Sequence, residues 1–200
     1  NLKVPDPLPL HDDHFILNGV SNDLTVYGDG GNDTFDVQFV TASTANVTLY
    51  GADDNDLFNI HTNGAVPSLN FVIDGGSGND TWTYETAWGE IDNITDPSGE
   101  DTLDFSNVGS SDKLRFYIGT DYVWVTIGNL DPTTKEANSI YHTGNTIEHL
   151  IGGPDNDSFH FADTAQLAVN DPTKNQGTID GGPGGADLVS YSGYNTPVTD

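Results

Sequence analysis

Apolar residues recur along this chain in three columns that hold register over most of its 200 residues. The first is Val26, Leu49, Ile73, Ile94, Leu150 and Ile179. The second is Phe35, Phe58, Trp82, Leu103, Phe159 and Leu188. The third, two positions further on, is Val37, Ile60, Tyr84, Phe105 and Phe161, and Ser190 breaks it. Apolar and polar residues alternate around each column, the period of a strand with one face in a core. Between the first column and the second lies a run of Gly, Asn and Asp, which is turn chemistry. The pattern predicts a strand that enters a turn and a strand that leaves it, repeated along an all-β chain.

The turns share a spacing. Gly75-Gly76-Ser77-Gly78-Asn79-Asp80-Thr81-Trp82 reads G-G-x-G-x-D-x-U, with U apolar. The segments that begin at Gly28, Gly51 and Gly152 follow the same register. Two copies are degraded. The one over Asp96–Leu103 has lost its first two glycines, and the one from Gly181 has its aspartate, Asp187, one place late. Glycine lets the backbone turn through positive φ and bring its carbonyls close to an ion. The aspartate adds a hard, charged oxygen of the kind Ca²⁺ prefers. This nonapeptide occurs in parallel β-helix repeats that bind Ca²⁺.

On these motifs the chain resembles the RTX-type (repeats-in-toxin) calcium-binding proteins, a family secreted by bacteria whose repeats fold as parallel β-rolls or β-helices around stacked ions. The resemblance covers six turns from Gly28 to Leu188. It implies a right-handed parallel β-helix, or β-solenoid, that binds several Ca²⁺ ions between stacked turns. Carried over by position, the implied carboxylate ligands are Asp33, Asp56, Asp80, Asp101 and Asp157, with Asp29, Asp53, Asp155 and Asp187 at other loop positions. The implied turn glycines are Gly28, Gly30, Gly51, Gly76, Gly78, Gly153 and Gly182. The spacing departs from a direct run of nonapeptides, because the first motif starts at 28, 51, 75 and 96 lie 23, 24 and 21 residues apart. Each coil of about 21–24 residues is therefore expected to carry one calcium turn, with all such turns along one edge, stacked at the roughly 4.8 Å strand spacing.

Charge strengthens the picture. Asp and Glu number 31 against 5 Lys and Arg, a net charge of −26. Self-repulsion of that size opposes compaction unless cations offset it. Five divalent ions would leave roughly −16, so folding coupled to metal is expected. The same charge argues against nucleic acid and anionic membrane surfaces as partners. Cysteine is absent, which removes disulfides and thiol chemistry. The sequence has neither a signal peptide nor a run of spanning length. Any export signal is expected outside the segment, which reads as part of a longer array.

Along the chain, residues 1–23 read as a Pro-containing extended lead-in and an incomplete first coil, and residues 24–200 as the solenoid. In the lead-in, His11-Asp12-Asp13-His14 offers transition-metal donors, although neighbours on an exposed turn more often bind nothing. An irregular insertion lies near 106–146. Within it, Lys113–Ile118, the turn Gly119-Thr120-Asp121 and Tyr122–Ile127 read either as a β-hairpin or as consecutive strands of one coil. No catalytic motif is present, and the chain is not expected to be an enzyme. The expected function is that of a calcium-stabilised structural or adhesive module, secreted or on the cell surface. Its partners would be neighbouring repeats or further copies of itself. Alternatives are a repeat module attached to a secreted enzyme and a polysaccharide-binding β-helix. Trp82 and Tyr84 stand in core columns, whereas Trp88 and Trp124 are open to a core role or to a sugar-binding strip.

Overall fold

The computed structural model describes residues 11–38, 44–61, 70–85, 91–109, 111–128, 138–144, 146–167 and 177–192. Among them there is no helix, and sixteen strands, numbered in chain order, form two sheets. One sheet runs β1 (His14–Leu17), β3 (Thr34–Val37), β5 (Leu57–Ile60), β7 (Thr81–Tyr84), β9 (Asp101–Asp104), β13 (Ile147–Ile151), β15 (Thr178–Asp180). The other runs β2 (Leu24–Gly30), β4 (Asn46–Asp53), β6 (Asn70–Ser77), β8 (Ile91–Thr95), β12 (Ser139–Thr143), β11 (Tyr122–Ile127), β10 (Leu114–Ile118), β14 (Ser158–Phe161), β16 (Leu188–Ser190).

From β1 to β9, consecutive strands alternate between the sheets, so each motif turn carries the chain across. Pairing within the first sheet is parallel throughout, and in the second only β11 runs against its neighbours. The register keeps like residues together: Phe35 pairs with Phe58, and Phe58 with Trp82. Their rings stack at 4.8 Å and 5.7 Å. Stacked rings at strand spacing let the apolar columns fill one continuous core. Phe35, Phe58, Trp82, Leu103 and Phe159 are fully buried, as are Ile60 and Tyr84. At the sheet edges Ile16 and Leu188 are exposed, with no further strand beside them among the described residues. Register sets them opposite Asp36 and Ser158, off the apolar columns, so that Val189 and not the predicted Leu188 stands beside Phe159.

Inside 106–146, β10 and β11 pair antiparallel, Leu114 opposite Ile127 and Ile118 opposite Val123. The hairpin inserts into the second sheet between β12 and β14. Trp124 is half-buried, with its ring on Tyr122 at 4.5 Å and edge-on to Tyr141. Trp88 lies outside the described residues.

Strand direction corrects the expectation of one calcium edge. The turns at Gly28, Gly51, Gly75 and Asp96 precede β3, β5, β7 and β9, at the N-terminal ends of the first sheet's strands. The turns at Gly152 and Gly181 follow β13 and β15, at the C-terminal ends of that same parallel sheet. Motif turns thus occupy two opposite ends. The reason lies between β12 and β13. That link takes the place of a motif turn at the first end without the motif, which returns half a coil later at the other end.

Candidate metal centre

Each predicted sixth-position aspartate stands immediately before, or at the start of, the strand that leaves its turn. Its Oδ1 reaches one coil back to the main chain. Asp13 N donates to Asp33 Oδ1 at 2.7 Å, Asp33 N to Asp56 Oδ1 at 2.8 Å, Asp56 N to Asp80 Oδ1 at 2.7 Å, and Asp80 N to Asp101 Oδ1 at 2.7 Å. Asp101 N then donates to Glu148 Oε2 at 2.7 Å. The register shifts between Ile147 and His149, and that bulge turns Glu148 inward as the last rung. A buried N–H must have an acceptor, and here one carboxylate per coil supplies it.

The second oxygen of the four aspartate rungs has no such partner. Oδ2 of Asp33, Asp56, Asp80 and Asp101 is buried and meets no donor among the described residues. It rests instead against the glycine that opens its own turn: a β-carbon on Gly28 would overlap Asp33 Oδ2, and one on Gly51 would overlap Asp56 Oδ2. Burial, opposed by the Asp13 N–H and reinforced by neighbouring acids, raises the Asp33 carboxyl to about 6. The same causes raise Asp56 to about 8, Asp80 to about 6 and Glu148 to about 7. No Lys or Arg is among the main causes of these shifts. A column of buried, hard oxygens without a hydrogen-bond donor is a donor set that could hold a hard cation.

One cluster exceeds the rest. Oxygens of Asp80, Asp96 and Asp101, all buried, lie within 4.8 Å of one another. Register pairs Asp74 with Thr95 and Ser77 with Ser98, so Asp96 occupies the position that Gly28, Gly51 and Gly75 hold in the preceding coils. Both oxygens of Asp96 lack a donor. Burial and then the Asp101 and Asp80 carboxylates raise Asp96 to about 10. The sequence reading missed Asp96, having taken it as a lost glycine; the column alignment at 28, 51, 75 and 96 was the available signal.

The remaining predicted residues divide. Asp157, at the opposite end, accepts from Leu114 N at 2.8 Å and Gly153 N at 2.5 Å, so both its oxygens are satisfied by main chain. Asp187 accepts from Asp157 N at 2.9 Å despite its late position, and is exposed. Asp29 and Asp53 are exposed; Asp53 accepts from Ser77 Oγ, and Asp155 bonds the adjacent Asn156 N–H. Gly76 and Gly78 take φ of 109° and 133° and abut the carbonyls of Ala52 and Asp54, and Gly182 takes 92°. Gly31 (115°), not the predicted Gly30, fills the corresponding place in the first turn. Gly30 ends β2, and its carbonyl accepts from His11 N. Gly153 is packed against Val108.

A second ladder runs beside the aspartates in the opposite sense. Asn55 N donates to Asn32 Oδ1 at 3.0 Å, Asn79 N to Asn55 Oδ1 at 2.6 Å, and Glu100 N to Asn79 Oδ1 at 3.0 Å. Asp12 and Asp13 begin the two ladders, since Asn32 N donates to Asp12 Oδ1 at 2.8 Å and Asp13 N to Asp33 Oδ1. His14 pairs with Asp36 at 2.7 Å. The segment His11–His14 therefore forms the first turn's contacts and gathers no metal cluster among the described residues.

Comparison with protein-family models, with curated proteins and with solved structures gives no match to this chain.

Proposed function

We propose that the chain is a calcium-stabilised structural module, a two-sheet parallel β-solenoid of about 21–24 residues per coil, of the RTX type, working outside the cell as a spacer, adhesive element or array subunit. The observation that carries this reading is the row of buried, donorless oxygens on Asp33, Asp56, Asp80 and Asp101. These residues, with Asp96, would hold the ions. Bound Ca²⁺ would supply the positive charge that the column lacks. The chain's own part is to keep the oxygens in register: Oδ1 of each rung is fixed by the main-chain N–H of the coil before, and the opening glycine leaves room for Oδ2. Because few ions bind the unfolded chain, their binding free energy becomes folding free energy. Low calcium would leave the repulsive chain less compact and weakly stable, and the millimolar calcium common outside cells would make it rigid. Exposed terminal strands would suit contact with neighbouring repeats or a second copy.

The test is circular dichroism and sedimentation velocity during a Ca²⁺ titration of EDTA-stripped protein, with Mg²⁺ in parallel. A cooperative gain of β signal and compaction with Ca²⁺ alone supports the proposal. A fold equally complete in EDTA sinks it. Growth in sedimentation coefficient at saturation would favour an array subunit over an isolated spacer.

A further inference from the structure

We propose that Asp80, Asp96 and Asp101 form a discrete site for a single hard divalent cation, Ca²⁺ by its chemistry, that differs from every other rung because a carboxylate stands where the preceding coils have glycine. The proposal deepens the calcium reading and rests on it for the identity of the ion. Its geometry is independent of that reading. In the coils opened by Gly28 and Gly51, the space beside the rung's Oδ2 is bordered by a glycine and the next coil's carbonyl oxygen. Beside Gly75, the same space meets Asp80 Oδ2 and, 2.7 Å from where a β-carbon would sit, Asp96 Oδ1. Asp101 approaches from the following turn, and one oxygen of each of the three residues lies within 4.8 Å of the others. Three carboxylates thus converge from two successive turns.

Two features make this a ligand site and not merely a crowded one. Asp96 is 6% exposed, and neither of its oxygens meets an N–H or O–H among the described residues. Oδ2 of Asp80 and of Asp101 is likewise buried and unpaired. Without a cation only protons shared among the three carboxyls could offset four such oxygens, whereas a single cation satisfies all of them. The donors are all oxygen, with no imidazole or thiolate in the cluster, which favours a hard cation such as Ca²⁺ or a lanthanide over a softer one such as Zn²⁺ or Cu²⁺. Three carboxylates also give this site more charge than a rung flanked by glycine, and ligand charge tunes Ca²⁺ affinity. It should fill first in a titration.

Trp82 supplies a local reporter. Its Cζ2 lies 2.9 Å from the point where a β-carbon on Gly75 would meet the Asp80 and Asp96 oxygens. The experiment is a Tb³⁺ titration of the full chain, read as luminescence excited through tryptophan. A count of bound Ca²⁺ by equilibrium dialysis accompanies it, on wild type, Asp96→Gly and Asp96→Asn. Asp96→Gly restores the residue that the aligned positions already hold, and circular dichroism in saturating Ca²⁺ checks its fold. The expected result is that both variants lose the tightest ion and most of the sensitised signal. The affinity loss should be at least the roughly tenfold that even an outer-shell substitution costs a metal site. Unchanged count and unchanged tightest affinity in the variants would overturn this site while leaving the calcium reading intact. Failure of wild type to retain any ion would overturn both, and would mean that the three acids share protons instead. If Asp96→Gly does not fold, Asp96→Asn, which keeps the volume and removes the charge, decides alone.

Discussion

Asp56 and Gly51 are in closest contact at the point where each coil turns: Oδ2 of Asp56 occupies the space that any β-carbon at position 51 would take. The glycine is needed there for the room it leaves, since its φ is not among the positive values of this turn. Gly51→Ala should destabilise the Ca²⁺-bound protein by about 1–3 kcal/mol, the range for overpacking a close-packed site. The added methyl would also press on Gly75 O. Urea midpoints at saturating Ca²⁺ measure it, and an unchanged midpoint would remove the glycine's role.

Ala52 gives a prediction of opposite sign. It holds φ of 91°, where the equivalent residue of the next turn is Gly76 at 109°. A β-carbon is strained in that region. Ala52→Gly relieves the strain but loosens the unfolded chain, for a net gain of about 0.5–1 kcal/mol. Thermal melts of the two proteins should differ in that direction.

The rungs fix the pH dependence of the metal-free protein. Burial lifts the folded-state values of Asp33, Asp56 and Glu148 to about 6, about 8 and about 7. A raised carboxyl stabilises fully below its unfolded value, and that contribution is lost as pH rises through the folded one. His142 acts oppositely: burial lowers it to about 4 from 6.5, so the fold weakens as pH falls through that window. The carboxyl effect is therefore cleanest from pH 6.5 to about 8. There, stability in EDTA should fall by up to about 1.4 kcal/mol per pH unit for each rung involved. Ca²⁺ requires ionised ligands, so in its presence the slope should vanish or reverse. Denaturant midpoints at several pH values, with and without Ca²⁺, check both halves.

Asp92 is a separate buried acid. It is fully buried in β8, between Phe71 and Ile140 in register, and accepts Tyr84 Oη–H at 2.9 Å. Burial raises it to about 8, against the lowering effect of the tyrosine bond. Asp92→Asn keeps an acceptor for Tyr84 and removes the ionisation. At pH 8 it should stabilise by about 1–3 kcal/mol, and below pH 4 the difference should disappear. A gain that persists in acid would assign it to packing instead.

The sequence made much of this architecture legible. Phe35, Phe58 and Trp82 could be aligned because burial on one strand face imposes a two-residue period, and stacking repeats that face at each coil. Asp33, Asp56, Asp80 and Asp101 could be aligned because their turns share one spacing. What they do with Oδ1 could not, since the bond runs to the main chain of another coil. Asp92 and Glu148 were hidden for the same reason: only strand register and a bulge tell that these acids point inward. Asp96 looked like a degraded turn because glycine's function there is space, and a sequence does not reveal what fills it. The transfer of the Gly152 and Gly181 turns to the opposite end depends on how many times the chain crosses between 104 and 147, which spacing alone does not count.

The central claim is that buried, donorless rung oxygens hold Ca²⁺, and native mass spectrometry of the calcium-loaded chain tests it most directly. Wild type should retain several Ca²⁺ ions and Asp56→Asn fewer, with Mg²⁺ failing to replace them. A spectrum in which wild type carries no retained Ca²⁺, or in which Asp56→Asn carries as many ions as wild type, would contradict the account.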